Sequence, residues 1–544
     1  MTEWFPKRTL GCLPAEAAAR FGEREALCCS GKRWSFRQFS EDVDAAARAL
    51  LALGIRRGDN VSLWLPNRPE WLHLMFGLLK AGAVLVPLNT RLRAQDLRYV
   101  LGQSHSSTLI ATDRSGPADY FAILKELFPA LGRAAGLDGA AAGFPDLRRL
   151  VLVGAPPAAG TVAWSGALDS GRGVSAGALA ARAAEVSPDD PALILYTSGT
   201  TGFPKGVVHA HAMVRAMTDH ANRMGVTTAD TILTYLPLFH IFGFTEGPLV
   251  SMLTGARQVL TVAFDADEVL DLIERERATI IHGFDTHFKD LVEAQARRPR
   301  DVSSLRTGIA AAGMSSSTPI IRRANAALVR TLSAFGMSEC NVGACLSFLD
   351  STEEQRCEAS GYPAPSFEIA VIDPATGKPQ PAGMPGEIVV RGYMVMRGYY
   401  NKPEETARTI DADGWLHSGD LGLIRPDGCL RFMGRTKDML KVGGENVDPM
   451  EVEALLLGHP GIQQVAIVGA PDARLSEVGV AFVLPRPGHA LTEEEVLAFC
   501  KGKIAGFKLP RRAVLVEALP MTSSGKIQKA KLREWAKENL VPRP

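Results

Sequence analysis

Short apolar runs alternate with amphipathic stretches between residues 34 and 332. The stretches between the runs carry apolar residues at helical spacing. Strands and helices that alternate in this way predict a layered α/β fold with largely parallel sheets. The runs with the length and composition of strands are 61–65, 84–88, 108–111, 232–236, 279–281 and 308–311.

Capping signals mark the start of two helices. At Ser35 the sequence S-F-R-Q resembles a capping box, and the apolar face that follows comprises Phe39, Val43, Ala46 and Leu50. A second helix is predicted to begin at Asp265, with Glu268 at its third position. Residues 134–187, by contrast, are rich in alanine, glycine and proline and have weak periodicity. We interpret them as a variable surface excursion.

The pattern changes after Gly386, where EIVVRG, WLHSGDLGLI and CLRFMGR predict short strands around turns. From Asp448 a separate unit is predicted, with helices at 449–457 and 493–501 and strands at 465–468, 480–484 and 513–516. These elements would form a compact α+β domain of roughly a hundred residues. We therefore expect a large multi-subdomain domain of layered sheets and helices over residues 1–434, a connection at 435–437 and a small domain over 438–544.

Composition limits the classes of partner and the compartment. A net charge of +1 over 544 residues gives no field that would attract a nucleic acid. The N-terminal sequence MTEWFPKR lacks the apolar core of a signal peptide. The longest apolar stretch, 71–88, contains His73 and Lys80, so no transmembrane segment is predicted. Eight cysteines without paired metal spacing favour reduced thiols in a cytoplasmic protein.

The sequence YTSGTTGFPKGV at 196–207 follows an apolar strand-like run at 192–196. Its glycines let backbone amides point inward at an anion, its hydroxyl groups add donors, and Lys205 adds a positive charge. The spacing differs from that of the G-x-x-x-x-G-K-[ST] loop, and a plain surface turn is the alternative interpretation. The predicted phosphate contacts are Thr197, Ser198, Gly199, Thr200, Thr201, Gly202 and Lys205.

Five further segments accompany this loop in a fixed order. They are LPLFHIFG at 236–243, SAFGMSE at 333–339, GWLHSGD at 414–420, GRTKDMLKVGGENVDPMEVE at 434–453 and MTSSGKIQKAKL at 521–532. Together the six segments resemble those of the adenylate-forming acyl-CoA synthetase superfamily over nearly the whole chain. The resemblance implies an N-terminal adenylation domain, a small mobile C-terminal domain, and ATP, CoA and Mg²⁺ as co-substrates and cofactor. A carboxylate would attack the α-phosphate of ATP, and the CoA thiol would then displace AMP.

The resemblance also assigns roles around the nucleotide. Glu339 would be the magnesium ligand, since this ion favours one or two carboxylates together with phosphate oxygens. Phe335 stands where the family usually has a tyrosine that stacks on adenine, and it keeps the stacking face. Asp420 would accept hydrogen bonds from the ribose and Arg435 would donate to it. The other predicted nucleotide contacts are Gly313, Gly336, Met337 and Ser338.

Three lysines are assigned to catalysis or domain motion. Lys526 would neutralise the charge that develops during adenylation, and Lys437 would be the hinge of a C-terminal rotation. Lys441 would belong to the surface used for thioester formation. His240 would gate or orient the acyl group without acting as a base. The predicted CoA channel comprises Val442, Gly443, Gly444 and Glu445.

The predicted acyl pocket is largely apolar and therefore favours a hydrophobic acid over an amino acid. Fatty, alicyclic, aryl and steroid-derived acyl groups all stay open. Two alternatives concern function: a ligase that loads a carrier protein, and a nucleotide-binding sensor without turnover. The sequence leaves open whether the protein forms a homodimer. The pocket residues are His240, Ile241, Phe242, Gly243, Phe284 and Ala334.

Overall fold

The computed structural model describes residues 5–540 of the chain with internal gaps. Within the described part, a large α/β domain with two mixed sheets precedes a small α+β domain, which confirms the predicted fold class. The residues outside the description are 1–4, 6, 130, 132–142, 156–157, 198–203, 312, 315–316, 436–437, 443–444, 473–474, 502, 505, 522–525 and 541–544.

A nine-stranded sheet forms one half of the large domain. Its central strands are parallel, and antiparallel strands close both edges. Its interior strands are almost completely buried, as expected for a parallel sheet covered on both faces. Across the sheet, the order is Tyr362–Pro363, Asn341–Leu346, Leu332–Met337, Thr307–Ala311, Ile280–Gly283, Thr231–Thr234, Arg257–Leu260, Glu25–Cys29 and Lys32–Ser35.

An eight-stranded sheet forms the other half. Parallel strands again occupy most of it, and an antiparallel pair with a short edge strand lies at one side. The order is Gly398–Tyr399, Lys205–His209, Leu193–Thr197, Val84–Pro87, Asn60–Trp64, Thr108–Ala111, Arg149–Leu152 and Val162–Ala163. A separate hairpin joins Arg114–Ser115 to Ala118–Asp119.

Two smaller sheets complete the strands. The first is antiparallel, in the order Phe367–Ile372, Gly386–Gly392, Leu416–Ile424 and Leu430–Arg435. The second belongs to the small domain, where Arg512–Leu515 pairs in parallel with Ser476–Pro485. The rest of that sheet runs in the order Glu445–Val447, Leu440–Val442, Ser476–Pro485 and Ile462–Asp472. These strands confirm the change in pattern predicted after Gly386.

Both predicted capping signals are present. The Ser35 hydroxyl accepts from the Gln38 amide while the Gln38 side chain accepts from the Ser35 amide, and the Asp265 carboxylate accepts from the Glu268 amide. The described helices of the large domain are Leu13–Phe21, Phe36–Ala52, Pro69–Lys80, Ala94–Gln103, Tyr120–Leu127, Trp164–Gly171, Ala176–Ala184, Met213–Arg223, Ile241–Phe244, Val250–Thr254, Ala266–Glu276, Asp285–Arg297, Thr318–Ala327, Glu353–Cys357 and Pro403–Thr409. Those of the small domain are Pro449–Leu457, Glu493–Cys500 and Lys529–Leu540.

The interpretation of residues 134–187 as a surface excursion is wrong for much of that segment. Strand Arg149–Leu152 is mostly buried beside Thr108–Ala111. Helix Trp164–Gly171 packs on helix Phe36–Ala52 so closely that a Cβ on Gly171 would lie 2.6 Å from the Ala49 amide nitrogen. Such close approach requires small residues, and small residues leave little hydrophobic periodicity in the sequence.

None of the described helices combines the length and the apolar character that crossing a membrane requires.

Candidate active site

The predicted phosphate loop connects two strands at one side of the eight-stranded sheet. Strand Leu193–Thr197 pairs antiparallel with Lys205–His209, and Thr197 stands opposite Lys205. This pairing holds the two ends of the loop side by side. Most of the predicted phosphate contacts lie outside the described residues, namely Ser198, Gly199, Thr200, Thr201 and Gly202.

Lys205 and Glu339 border the same space through Tyr399. The Lys205 ammonium lies 2.5 Å from a Glu405 carboxylate oxygen and 4.9 Å from the centre of the Tyr399 ring. The Tyr399 hydroxyl donates to Glu339 Oε1 at 3.0 Å. Burial and the Glu339 carboxylate both raise the pKa of Tyr399, so its proton stays on the hydroxyl. The loop lysine and the predicted metal ligand are therefore brought together.

Two hydrogen bonds fix the turn that carries Glu339. A His209 ring nitrogen lies 2.6 Å from the Ser338 carbonyl oxygen, and the Met396 amide donates to the Glu339 carbonyl oxygen at 2.7 Å. Burial lowers the pKa of His209 to about 4, so the ring is neutral and donates to Ser338 through a single N–H. The turn therefore holds its carboxylate in a defined position.

The donor set at Glu339 fits a magnesium ion that is bound mainly by substrate. Glu339 is buried, and the described residues contain no group of three His, Cys, Asp or Glu side chains placed to hold a metal. A single protein carboxylate is what Mg²⁺ uses when phosphate oxygens and water supply its remaining ligands.

The predicted nucleotide residues converge on strand Leu430–Arg435. Arg435 Nε lies 2.7 Å from Asp420 Oδ1 across the antiparallel register, and Asp420 is buried. The Phe335 and Phe432 rings have centroids 5.8 Å apart. Gly313 has φ +123°, and a Cβ there would lie 3.1 Å from the Phe432 carbonyl oxygen, so a glycine is required. Gly336 and Met337 follow Phe335 at the more exposed end of their strand.

Two of the predicted acyl residues, Phe242 and Phe284, form an aromatic cluster. His240 is the N-terminal cap of the short helix Ile241–Phe244, and the Phe242 ring contacts the Phe284 ring edge to face with centroids 5.6 Å apart. A Cβ on Gly243 would lie 2.2 Å from the Pro237 carbonyl oxygen, so only glycine allows this helix to fold back on its own loop. Ala334 lies on strand Leu332–Met337 of the nine-stranded sheet.

Lys526 reaches this cluster from the small domain. Its ammonium lies 5.7 Å from the centre of the Phe284 ring. Although water reaches part of its surface, crowding by protein atoms lowers the pKa of Lys526 and Arg435 lowers it further, against the opposing charges of Asp420 and Asp285. Lys526 therefore stands between the nucleotide residues and the acyl residues.

His240 lies within the field of this lysine. Burial lowers the pKa of His240 to about 4, and the charge of Lys526 contributes to that shift. The ring is therefore neutral at physiological pH.

Further contacts hold the two domains in this arrangement: Lys289 Nζ donates to the Gln463 carbonyl oxygen at 3.2 Å, and Arg486 lies 3.9 Å from Glu293.

Of the residues predicted for the CoA channel, the structure describes the side chain of Val442 only. Val442 is buried within the core of the small domain, on the hairpin of Leu440–Val442 and Glu445–Val447. Lys437, Gly443 and Gly444 lie outside the described residues, as do the side chains of Lys441 and Glu445. Their assigned roles stay predictions.

Sequence reasoning missed several residues of the site: His209, Asp285, Tyr399 and Glu405. Each meets its partner across a long separation, as Lys205 meets Glu405 two hundred positions later. None stands in one of the six recognised segments. The one local signal is that Asp285 directly follows the apolar strand Ile280–Gly283 and Phe284, where a helix begins.

Comparison with known proteins gives matches over nearly the full length. The sequence model described as AMP-binding enzyme matches residues 14–400, and that of the AMP-binding enzyme C-terminal domain matches residues 451–526. The 3-[(3aS,4S,7aS)-7a-methyl-1,5-dioxo-octahydro-1H-inden-4-yl]propanoyl:CoA ligase of Mycobacterium tuberculosis is 37% identical over 517 residues, which covers 94% of this chain and 96% of the relative. The mitochondrial medium-chain acyl-CoA ligase ACSF2 of Mus musculus is 34% identical over 543 residues, with coverages of 97% and 87%.

A solved structure also matches over nearly the full length of the chain. The crystal structure of the anthranilate CoA ligase AuaEII in complex with anthranoyl-AMP matches with a TM-score of 0.84 and 27% identity, and the match covers 98% of each chain.

Proposed function

The chain belongs to the AMP-binding enzyme family, and we propose that it uses ATP to join a hydrophobic carboxylic acid to coenzyme A through an acyl-AMP intermediate. The observation that carries the proposal is the position of Lys526, which lies beside Phe284 and within the electrostatic environment of Asp420, Arg435 and Glu339. A lysine between an acyl pocket and a nucleotide site is where adenylation needs positive charge.

In the first step, a carboxylate oxygen of the acid attacks the α-phosphorus of ATP. The new O–P bond forms as the bond to pyrophosphate breaks, and Lys526 and Lys205 offset the charge on the oxygens. Glu339 would hold Mg²⁺, which when bound neutralises phosphate charge. Asp420 and Arg435 would hold the ribose, and Phe335 would support the adenine.

In the second step, the CoA sulfur attacks the acyl carbon and the C–O bond to AMP breaks. The thiol proton is lost to solvent, and AMP leaves as a phosphate monoester. Rotation of the small domain about Lys437 would remove Lys526 and present Lys441 together with the predicted CoA channel. Because burial lowers the pKa of His240 to about 4, the ring is a weak base and is not an imidazolium near pH 7, which suits a role in shaping the acyl site.

The acid is proposed to be fatty, alicyclic or aryl. The Phe242 and Phe284 rings give the site apolar walls. The relatives support this range, since their names specify a medium-chain acyl group and a bicyclic propanoyl group, and the matched structure holds an aryl adenylate. A cytoplasmic location and a homodimer stay predictions.

The proposal is tested with a panel of aliphatic, cyclic and aromatic acids supplied with ATP and Mg²⁺. Pyrophosphate release is measured for each acid, and products are identified by mass spectrometry with free CoA or with a phosphopantetheinyl carrier protein as acceptor. We expect pyrophosphate release that depends on the acid, and a thioester with free CoA. If a thioester formed only on the carrier protein, the acceptor would be the carrier and not CoA. If no acid gave pyrophosphate release, the proposal would be overturned.

A further inference from the structure

A buried polar pair, His282 and Glu246, lies next to the aromatic residues of the acyl site, and the charge of Glu246 acts on His282. The Phe242 ring lies 5.6 Å from the Phe284 ring and 6.0 Å from the His282 ring, measured between ring centroids. His282 occupies the central strand Ile280–Gly283, and Glu246 occupies the π-helical segment Thr245–Leu249 that continues the helix of Phe242. π-Helical segments occur frequently at functional sites.

His282 presents one defined hydrogen-bond donor. The Ile309 amide donates to its Nδ1 at 3.1 Å, so the ring proton resides on Nε2. Burial lowers the pKa of His282 to about 4, which keeps the ring neutral and this tautomer in place. His282 is only 4% exposed, and among the described residues Nε2 has no hydrogen-bond partner.

Glu246 presents one acceptor. Its Oε1 lies 2.7 Å from Nδ1 of His220, whose Nε2 lies 3.2 Å from the Gly343 carbonyl oxygen. Although burial opposes protonation, the Glu246 charge raises the pKa of His220, which favours a carboxylate paired with an imidazolium. Glu246 is 1% exposed, and its Oε2 has no hydrogen-bond partner in the described part of the chain.

A buried donor and a buried acceptor that are both unused cost folding free energy, so a ligand that satisfies them gains affinity. A hydroxyl group does both, because it accepts from an N–H and donates to a carboxylate oxygen. A ketone satisfies only the donor, and an alkyl chain satisfies neither.

We propose that His282 and Glu246 are specificity residues for an acyl group that carries a hydroxyl or ketone oxygen remote from its carboxylate. This inference rests on the proposed function and narrows its substrate class. Lys526 contacts Phe284, Phe284 contacts Phe242, and Phe242 contacts His282, so two aromatic rings link the adenylation lysine to the polar pair. In this proposal the pair meets the part of the acyl group that is remote from the carboxylate. We expect the highest kcat/KM for an acid that bears a hydroxyl group, a lower value for the corresponding ketone, and the lowest value for the unsubstituted chain.

The test compares kcat/KM for hexanoic to decanoic acids with those for the same chains bearing a hydroxyl or a ketone at successive distal carbons. At one or more positions we expect the hydroxy acid to exceed its alkyl counterpart about tenfold or more. In His282→Phe the two should differ by less than about twofold, while activity on the alkyl acid persists. His282→Gln, which keeps an N–H donor, should restore part of the preference.

Glu246→Met provides an independent variant if His282→Phe does not fold, and it should remove the preference of hydroxyl over ketone. His73→Gln is the matched control, because His73 is also buried but lies on helix Pro69–Lys80 against Phe39, and it should leave the ratios unchanged. Equal kcat/KM for oxygenated and alkyl acids in the wild type would overturn the inference but not the proposed function. The absence of AMP formation with every acid would overturn both.

Discussion

The ammonium of Lys526 lies 5.7 Å from the centre of the Phe284 ring, so a side chain near the end of the chain reaches the acyl site of the large domain. The same ammonium senses the charges of Arg435, Asp420 and Glu339. This arrangement of the small domain is the one that the proposed adenylation step requires, and Val442 of the predicted CoA channel is buried in the core of the small domain. The proposed second half-reaction predicts another position of the small domain.

We predict that Lys526→Ala lowers acyl-AMP formation by about a hundredfold or more, because this ammonium lies beside Phe284 and close to the charges of Asp420 and Glu339. Thioester formation from supplied acyl-AMP should change little. Pyrophosphate release and single-turnover thioester formation measure the two steps separately. Lys531→Ala, an exposed lysine of helix Lys529–Leu540, is the control and should leave both steps unchanged. Equal losses in both steps of Lys526→Ala would contradict a lysine specific to adenylation.

Lys437→Pro should produce the opposite result. Proline fixes φ of its own residue and restricts Thr436 before it, which removes the backbone freedom that a rotation at this position needs. Acyl-AMP formation should persist, and thioester formation should fall about tenfold or more. Lys437→Ala removes the side chain but keeps the backbone freedom, so it serves as the control. If Lys437→Pro lost adenylation while Lys437→Ala kept it, the hinge would lie elsewhere.

The elements that sequence predicted well are those with local signals. Ser35 and Asp265 cap their helices through hydrogen bonds to residues three positions later, so the information lies within one turn. The strand Arg149–Leu152 was missed because its burial depends on Thr108–Ala111 and not on its neighbours in sequence. Gly171 was missed for the related reason that its role is to be small beside Ala49.

The residues of the candidate site also differ in whether a local sequence signal reports them. Lys526, Asp420, Arg435 and Glu339 stand in recognisable segments, and the structure brings them together. Tyr399, in contrast, joins the site through long-range contacts to Glu339 and Lys205, and no spacing in the sequence reports them. The hydrogen-bonding atoms of His282 and Glu246 that lack partners are likewise surrounded by residues distant in sequence, so no local pattern reports them.

Asp420→Asn should weaken ATP binding with little effect on the acid. The substitution removes the charge that positions Arg435 at 2.7 Å and leaves a weaker acceptor for the ribose. A hydrogen bond to a charged group contributes about 1.5–3 kcal/mol, so KM for ATP should rise about tenfold to a hundredfold. Initial rates with ATP and the acid varied in turn separate the two effects.

The control for Asp420→Asn is Glu368→Gln on the same antiparallel sheet. Glu368 also faces an arginine across neighbouring strands, since Arg391 Nη2 lies 2.6 Å from its carboxylate, but this pair is exposed. Exposed ion pairs contribute little, so both KM values should stay unchanged. A rise in KM for the acid in Asp420→Asn, equal to that for ATP, would argue against a ribose contact.

Buried neutral histidines should make the protein sensitive to acid. Burial lowers the pKa of His211 from 6.5 to about 4, so between these values the unfolded chain binds a proton that the folded chain does not. Stability from this residue is therefore fully present above pH 6.5 and is lost as the pH falls towards 4, by about 1.4 kcal/mol per pH unit.

His211→Asn tests that sign with a nearly unchanged contact. The Leu10 amide donates to His211 Nδ1 at 3.0 Å, and the asparagine oxygen can accept the same hydrogen bond without titrating. The pH slope of the free energy of unfolding, measured by urea denaturation, should then fall by about one proton. His489→Asn, at an exposed position, should keep the wild-type slope. A slope that His211→Asn leaves unchanged would mean that this ring is already protonated in the folded protein.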